Sequence, residues 1–237
     1  MTFVMQVLHG AAMDVLKTLD KDSIDTVFTC PSPFRYYGDN EPNYIGGEKQ
    51  PQEYIYNLAM ILDECMRVLK PTGNLFIQLG DKFHNGLLMC IPSYFELTMI
   101  QRGYLLNDRI IWHRTETHTR KPPKPEKGFL KNYEYIFHFV KDRFYFNTNS
   151  KYSKTSVFSY PLEDTYYTNE FDSGLPYQLS EMVIDTTCPK NGIVLDPLCG
   201  SGKVGVVAKK MNRDFIGIDI NLETVEAARI RLGLPTI

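Results

Sequence analysis

The stretch Ile193-Val194-Leu195-Asp196-Pro197-Leu198-Cys199-Gly200-Ser201-Gly202 decides the fold of this chain. Three apolar residues run into an acid, a proline and two glycines, and the helical pattern of 204–211 follows. Glycines there allow a sharp turn and a close approach of a ligand to the backbone, and the helix N-terminus offers free N–H groups. The next apolar run, 215–218, ends at Asp219, where an acid suits the two hydroxyls of a ribose. The stretch therefore predicts a strand, loop and helix that bind a nucleotide-containing cofactor.

Three interpretations of this loop differ in the ligand that they imply. A P-loop requires Ser or Thr after its lysine, and here Val204 follows Lys203. The dinucleotide pattern Gly-x-Gly-x-x-Gly is formally matched by 200–205, so a nicotinamide-dependent oxidoreductase stays open. Asp196 would repel a pyrophosphate, however, whereas a cationic sulfonium is compatible with it. The loop thus favours a sulfonium methyl donor.

A second informative stretch lies near the start of the chain, where the apolar run 24–29 ends in Cys30-Pro31-Ser32-Pro33-Phe34. An exocyclic amine of a nucleobase is a weak nucleophile, because its lone pair is delocalised into the ring. Chemistry on it requires acceptors for its N–H groups, an aromatic face and close placement against the methyl donor. A polar residue, a proline carbonyl and an aromatic ring supply these groups, although a proline-rich loop with a buried Phe34 would give the same pattern. Ser32 is a better acceptor than Cys30, because thiol sulfur accepts hydrogen bonds weakly.

Composition limits the class of protein. The chain has 237 residues, of which 43% are hydrophobic, enough for one α/β domain. It contains no apolar run of about 18 residues, and its first residues lack the pattern of a signal peptide, so we expect neither a membrane span nor a leader. The five scattered cysteines include no Cys-x-x-Cys pair, which is typical of the reducing cytoplasm. The histidines show no metal-ligand spacing, so no metal site is expected.

Apolar periodicity predicts strands that alternate with helices. The predicted strands are 3–8, 24–29, 74–79, 106–112, 133–140, 143–146, 193–195 and 215–218, and the predicted helices are 11–19, 52–69, 91–102, 179–186, 204–211 and 222–231. This alternation predicts an α/β fold with a doubly wound, mostly parallel sheet, and an antiparallel hairpin formed by 133–140 and 143–146. We expect a single domain over 1–237. Two segments, 113–132 and 147–175, fit no α/β unit and are candidate recognition inserts.

Positive charge is concentrated in the first of these inserts. Seven Lys and Arg against two Glu lie between 109 and 131, in a chain whose net charge is −2. Such a run is often a solvated loop, but this one follows a strand end where a substrate would lie, which favours contact with an anionic partner. The candidate residues are Arg114, Arg120, Lys121, Lys124, Lys127 and Lys131.

Together, the two stretches resemble the DNA amino-methyltransferases of the beta arrangement, which transfer a methyl group from S-adenosylmethionine to cytosine N4 or adenine N6. In that family the motif Asp/Asn/Ser-Pro-Pro-Tyr/Phe precedes Asp-Pro-Phe-x-Gly-Ser-Gly, as the corresponding stretches do here. Further matching segments cover nearly the whole chain and include 35–38, 53–73, 78–81, 110–113, 133–137, 205–208 and 215–219. The resemblance implies a Rossmann-like methyltransferase fold with a circularly permuted motif order.

The resemblance also implies roles for residues. The implied catalytic residues are Ser32, Pro33, Phe34, Cys30 and Pro31. The implied cofactor-binding residues are Asp196, Pro197, Leu198, Cys199, Gly200, Ser201, Gly202, Asp219, Ile220 and Asp81, and the cofactor is S-adenosylmethionine. The implied substrate is a flipped cytosine in double-stranded DNA, attacked directly at N4, and the basic residues of the first insert are candidate DNA contacts. Cytosine N4 is favoured over adenine N6, because Ser followed by Arg35-Tyr36-Tyr37-Gly38 is similar to the cytosine-type members. The resemblance leaves two further partners open, a second copy of the chain and a restriction endonuclease of the same system.

The chain departs from the family pattern at three places. The catalytic stretch reads Cys-Pro-Ser-Pro-Phe, so either Cys30 or Ser32 takes the first polar position. Lys203 stands where the family usually has Thr, and His9-Gly10 lacks the acid often found after that glycine. A catalytically silent DNA-binding relative therefore stays open. Ring-carbon methylation by Cys30 is disfavoured, because that chemistry uses Pro followed by Cys and a cofactor motif that comes first.

Overall fold

The computed structural model describes residues 4–35, 44–115, 129–162 and 174–236. Its strands are β1 (Met5–His9), β2 (Ile24–Thr29), β3 (Leu69–Leu79), β4 (Phe83–His84), β5 (Leu87–Leu88), β6 (Leu105–Arg114), β7 (Tyr133–Val140), β8 (Val157–Tyr160), β9 (Ile193–Asp196) and β10 (Asp214–Asp219). Eight of them form one sheet in the order β1-β10-β9-β2-β3-β7-β6-β8. Neighbouring strands run parallel except at β7, which is antiparallel to both β3 and β6. The sheet is therefore mostly parallel, as the sequence predicts.

Helices cover both faces of this sheet. They are α1 (Ala12–Leu16), α2 (Pro51–Val68), α3 (Ile91–Gln101), α4 (Tyr177–Thr187), α5 (Lys203–Lys210) and α6 (Leu222–Leu232). The first three helices bury their apolar residues in one core and the last three in another. Successive strand residues point to opposite faces, so Val27 lies in the first core and Phe28 in the second. The fold is thus doubly wound, and its central strands read as apolar runs because both of their faces are buried.

The bounds of α2 agree closely with those that the periodicity of its apolar residues predicts. The helix begins at Pro51, where the Glu53 side chain accepts a hydrogen bond from the Gln50 N–H at 3.4 Å. Its buried residues recur at spacings of three and four, which places them on one face against the sheet. The helix ends where the backbone of Leu69 becomes extended and β3 begins. The prediction of a helix over 52–69 is confirmed to within one residue at each end.

The predicted hairpin between 133–140 and 143–146 is wrong. β7 pairs with β3 on one side and with β6 on the other, so neither edge is left for a hairpin partner. The chain beyond Val140 crosses instead to other elements, where the Tyr145 N–H donates to the Thr72 carbonyl at 2.8 Å and the Asn147 N–H to the Thr186 carbonyl at 2.7 Å. β7 is antiparallel to both β3 and β6, and the connection between β6 and β7 contains the basic insert.

The strand β8 and the ribbon of β4 and β5 lie in segments where the sequence predicts neither a strand nor a helix. β8 falls inside 147–175 and extends the sheet by pairing parallel with β6. β4 and β5 form a separate two-stranded ribbon around Asn85-Gly86, both of which have positive φ, at 50° and 77°. Asn-Gly is a favoured two-residue hairpin turn, so this ribbon carries a sequence signal.

The order of the strands changes direction between β9 and β2. From β9 the sheet continues through β10 to β1, and from β2 it continues through β3 in the opposite direction. Open α/β sheets bind their ligands outside the carboxyl ends of the strands at such a point. The pairing of Thr26 with Val194 and of Val27 with Leu195 places the loops after β2 and β9 side by side. Within the described ranges, no helix has both the length and the apolarity needed to span a membrane.

Candidate active site

A cavity of about 600 Å³ opens at the carboxyl ends of β2 and β9. Its walls include the whole stretch Cys30-Pro31-Ser32-Pro33-Phe34 on one side and 196–201 on the other. Asp219, Ile220 and Asp81 also line it. The volume lies within the range of about 300–1,000 Å³ that is usual for sites of small ligands and cofactors. The structure thus brings both predicted stretches to one cavity.

Glycines give the loop after β9 its shape. Gly200 and Gly202 have φ of 48° and 79°, a region that residues with a Cβ rarely adopt. The Cys199 N–H donates to the Ile218 carbonyl at 2.9 Å, which ties the loop to the end of β10. Gly202 is not among the described residues that line the cavity, and a Cβ there would lie 3.0 Å from the Cβ of Ala228. Gly202 therefore permits close packing of the loop on α6.

Two carboxyl groups, one buried and one partly buried, lie in the cavity wall at the ends of β9 and β10. Asp196 is only 3% exposed, and its Oδ1 accepts the Leu198 N–H at 3.2 Å. Burial raises the pKa of Asp196 to about 7, and the nearby Asp219 carboxylate adds to this increase. Asp219 accepts the Gly200 N–H at 3.0 Å and the Asn221 N–H at 2.9 Å, and burial raises its pKa too. Two acids in one wall suit a ligand that carries positive charge and hydroxyl groups, which is the chemistry of a sulfonium nucleoside.

Ser32 and Phe34 are held by α2. The Tyr54 hydroxyl donates to the backbone carbonyl of Ser32 at 3.0 Å, and the Tyr54 ring lies 5.9 Å from that of Phe34. Phe34 lines the cavity, yet it is 3% exposed and belongs to the core beneath the loop. Burial raises the pKa of Tyr54, so this hydroxyl remains a donor at every pH of interest. The loop after β2 is thus held in place by its contacts with α2.

A chain of hydrogen-bonded polar side chains continues from Cys30 across the sheet. The Cys30 thiol donates to the amide oxygen of Gln78 in β3, and the Gln78 amide nitrogen donates to Glu134 in β7. Glu134 in turn forms an ion pair with Arg114 at 3.0 Å, where β6 ends. Burial raises the pKa of Glu134, and the Arg114 cation opposes that increase. All four residues line the cavity.

Gln78, Glu134 and Arg114 were not predicted as members of one network. Polar residues within the apolar strands β3 and β7 are the signal that could have indicated them. Asp81 lines the cavity and also holds the start of α3, because its Oδ1 accepts the Ile91 N–H at 3.1 Å. Trp112 is not part of the cavity wall; it is 1% exposed in the core, and its indole N–H donates to the Tyr160 carbonyl at 3.0 Å.

The predicted DNA contacts fall into two groups. Arg114 and Lys131 line the cavity, and both are nearly buried. The Lys131 ammonium lies 4.5 Å from the centre of the Tyr133 ring. The other four residues, Arg120, Lys121, Lys124 and Lys127, lie outside the described residues. In the ranges that the structure covers, His, Cys, Asp and Glu form no cluster that could hold a metal ion, and the five cysteines are free thiols.

Comparisons with known proteins agree with this geometry. A family model of DNA methylases of the N6/N4 type matches residues 24–229, and the chain therefore belongs to this family. The type II methyltransferase M.MwoI of Methanothermobacter wolfeii is 30% identical over 236 residues. That alignment covers 98% of this chain but 34% of M.MwoI, so the chain spans about a third of the length of this relative.

Solved structures show the same fold. PvuII DNA methyltransferase, which is cytosine-N4-specific, superposes with a TM-score of 0.83 at 17% identity, over 96% of this chain and 87% of that one. M1.HpyAVI, solved as a complex with S-adenosylmethionine, superposes with a TM-score of 0.67 at 21% identity, over 97% of this chain and all of that one (100%). The Rossmann-like methyltransferase fold is thus confirmed for this chain.

Proposed function

We propose that this protein transfers a methyl group from S-adenosylmethionine to N4 of cytosine in double-stranded DNA. The observation that carries the proposal is the single cavity at the ends of β2 and β9, which is lined by both the Ser32 loop and the Asp196 loop. Membership in the N6/N4 family of DNA methylases supports the reaction class. The similarity in fold to the cytosine-N4-specific PvuII enzyme supports cytosine over adenine.

The cofactor is S-adenosylmethionine, which supplies an electrophilic methyl group on a sulfonium. Asp219 and Asp196 both line the cavity. We assign the ribose hydroxyls to Asp219, and the sulfonium and amino group, which favour negative charge, to Asp196. Gly200, whose φ is 48°, allows the backbone to approach the ligand closely. These roles account for two acids in one wall, which phosphate ligands would not tolerate.

The loop after β2 binds the target base. The Ser32 hydroxyl and the backbone carbonyls of 31 and 33 accept hydrogen bonds from the exocyclic amine, which keeps its lone pair available to the methyl group. Phe34 forms the apolar floor beneath Ser32. The base reaches this loop only when it leaves the duplex stack. The segments 113–132 and 147–175 contribute DNA contacts, and a restriction endonuclease of the same system is the natural partner of such an enzyme.

The deciding experiment is transfer of labelled methyl groups to unmethylated genomic DNA, followed by mass analysis of the nucleosides. N4-methylcytosine is the expected product. N6-methyladenine would leave the reaction class intact and overturn the choice of base. Binding of cofactor without any transfer, on DNA of many sequences, would favour the catalytically silent relative, whereas binding of NADH in place of S-adenosylmethionine would overturn the proposal.

A further inference from the structure

Glu48 is a buried acidic residue to which the proposed reaction gives no role. It is only 6% exposed, and it is not among the described residues that line the cavity. Its Oε2 accepts the Gly46 N–H at 2.8 Å, and its Oε1 accepts a hydrogen bond from the side-chain amide of Asn57 at 3.0 Å. Both donors are neutral, so they offset the cost of burying a carboxyl group only in part. The position of Glu48 therefore calls for a physical reason.

The turn at Gly46 packs against the loop after β2. The Gly47 N–H donates to the Tyr44 carbonyl at 2.9 Å, which closes the turn. Gly46 has φ of 97°, a region that favours glycine. A Cβ at Gly46 would lie 2.7 Å from the Pro33 carbonyl oxygen and 3.1 Å from the Ser32 Cβ. The backbone of this turn is therefore in close contact with two of the residues to which the proposed function assigns the exocyclic amine.

Helix α2 holds both the turn and the loop after β2. Tyr54 and Asn57 are three residues apart, so their side chains lie on the same side of the helix. The Tyr54 hydroxyl donates to the Ser32 carbonyl at 3.0 Å, which is a direct contact. Asn57 donates to Glu48, and Glu48 accepts the Gly46 N–H. The loop is thus fixed by α2 directly and also, through Glu48, by the turn that packs on it.

We propose that Glu48 positions the loop after β2 for methyl transfer. The inference rests on the proposed function, because it takes this loop as the site of the exocyclic amine. Glu48 holds Gly46 against Pro33 and Ser32, and so limits the displacement of the oxygen atoms that accept the amine hydrogens. Those atoms have to be placed accurately, since a displacement of about 1 Å can cost about 100-fold in rate. Glu48 contacts neither the base nor the cofactor in the proposed reaction, so it is a positioning residue.

This role depends on the hydrogen bonds of Glu48 and not on its charge. Glu48→Gln keeps an acceptor for the Gly46 N–H, and its amide nitrogen can donate to Asn57 once the Asn57 amide turns over. Glu48→Leu has a similar size but accepts no hydrogen bond. Glu64→Leu is the matched control, because it removes an acid of α2 whose partner is Arg67, at 2.8 Å, at the opposite end of the helix from the turn.

The first measurement is single-turnover methyl transfer to DNA, made well below the thermal midpoint of each variant. We expect Glu48→Leu to lower the rate by about 100-fold, and the affinity for S-adenosylhomocysteine in calorimetric titration by less than about 3-fold. Glu48→Gln should restore the rate to within about 5-fold of the unaltered protein, and Glu64→Leu should change it by less than about 3-fold. The proposal is overturned by an unchanged rate in Glu48→Leu, by equal losses of rate and cofactor affinity, or by an equal loss of rate in Glu48→Gln.

The second measurement is hydrogen exchange of the ligand-free protein, followed by mass spectrometry of the peptide 24–35. Glu48→Leu should speed the exchange of this peptide, because the loop after β2 loses part of its support, whereas Glu64→Leu should not. Unchanged exchange in Glu48→Leu would contradict the positioning role. This measurement needs no substrate. Absence of methyl transfer by the unaltered protein would overturn the proposed function, and the exchange would still decide whether Glu48 holds the loop.

Discussion

At the scale of single residues, Cys30 and Ser32 of the proline stretch make different contacts. The Cys30 thiol already donates to Gln78 and so belongs to the network that leads to Glu134. The Ser32 carbonyl accepts a hydrogen bond from the Tyr54 hydroxyl, which fixes the backbone of a residue that lines the cavity. Cys30 thus connects the loop to the sheet, whereas Ser32 is the residue that we propose to contact the base.

Replacement of Ser32 is expected to affect chemistry more than binding. Ser32→Ala removes the hydroxyl acceptor, so kcat for methyl transfer should fall by about 100-fold while cofactor affinity changes little. Cys30→Ser keeps a donor to Gln78 and should lower kcat by less than about 10-fold. Single-turnover transfer to DNA and titration with S-adenosylhomocysteine measure the two quantities. A larger loss in the Cys30 variant would assign the first motif position to Cys30.

Asp196 makes the stability of the ligand-free protein depend on pH. Its pKa rises from the ordinary value of 3.8 to about 7, so between these values the folded protein holds a proton that the unfolded chain has lost. The free energy of unfolding therefore decreases as the pH rises through this window. Asp196→Asn removes the titration and retains an acceptor for the Leu198 N–H, so its stability relative to the unaltered protein should increase from about pH 5 to about pH 8. Urea unfolding at both pH values checks this, and a constant difference would contradict it.

The sequence predicts the residues of the two loops well, because each loop is a short continuous stretch directly after an apolar run. It does not predict the pair of Arg114 and Glu134, which lie on different strands and meet only through the register of β6 and β7. The same limit applies to Lys203. Its sequence position is part of the motif, but its burial against Leu175 and Tyr177 depends on where α4 begins.

At the scale of elements, His138 joins three strands in the middle of the sheet. Asn107 of β6 donates to its Nδ1 at 3.0 Å, its Nε2–H donates to Asn74 of β3 at 2.8 Å, and its ring stacks on Phe76 at 4.1 Å. These partners require the neutral ring, and burial lowers the pKa of His138 to about 3. The unfolded chain takes up a proton below about pH 6.5, whereas the folded protein does not.

Stability should therefore fall as the pH drops from about 6.5 towards 3, and His138 should contribute to this loss. His138→Gln is expected to be less stable at neutral pH and to lose less stability on acidification, because the titrating group is absent. Thermal melts across this range measure the effect. His84→Gln, which alters an exposed histidine of β4, is the control and should reproduce the acid limb of the unaltered protein.

The packing of α5 on β10 depends on a glycine. A Cβ at Gly205 would lie 2.6 Å from a ring carbon of Phe215, which is itself fully buried. Gly205→Ala should lower the free energy of unfolding by about 1–3 kcal/mol, because a ring in a close-packed core cannot move aside freely. The midpoint of urea unfolding tests this, with Lys209→Ala on the same helix as a control. An unchanged midpoint would mean that the helix can shift away from the strand.

Most buried helices and strands were predicted to within two residues at each end, since burial imposes the periodicity. The exceptions are α1, which ends three residues before the predicted 19, and β3, which begins five residues before the predicted 74. The failure at 143–146 has a topological cause: local alternation cannot reveal that both edges of β7 are already paired. β8 was missed for a related reason, because a four-residue edge strand buries few side chains and leaves a weak pattern.

At the scale of the whole molecule, this protein carries a net negative charge, yet we propose that it binds DNA, which is a polyanion. The net charge is −2, so attraction to DNA has to come from a local concentration of positive charge such as 114–131. Affinity for DNA should then fall steeply with salt. Replacing both Lys121 and Lys124 by Ala should lower the slope of log K against log salt by about one per lost phosphate contact.

Lys190 provides the matched control for that titration. It is exposed and precedes β9, at the end of the sheet opposite the cavity, so Lys190→Ala should leave the salt dependence unchanged. Fluorescence anisotropy of a labelled duplex at several salt concentrations measures both variants. DNA binding that does not respond to salt would overturn the role of the basic insert.

The pairing of β1 with β10 has a consequence for folding during protein synthesis. Met5 leaves the ribosome long before its partner Phe215. Helices α1 to α3 can cover one face of β2 and β3 early, while Phe28 and Phe76 on the other face wait for α4 to α6. Until α4 to α6 have been synthesised, the nascent chain therefore exposes one apolar face of these strands, which chaperones can bind and which favours aggregation.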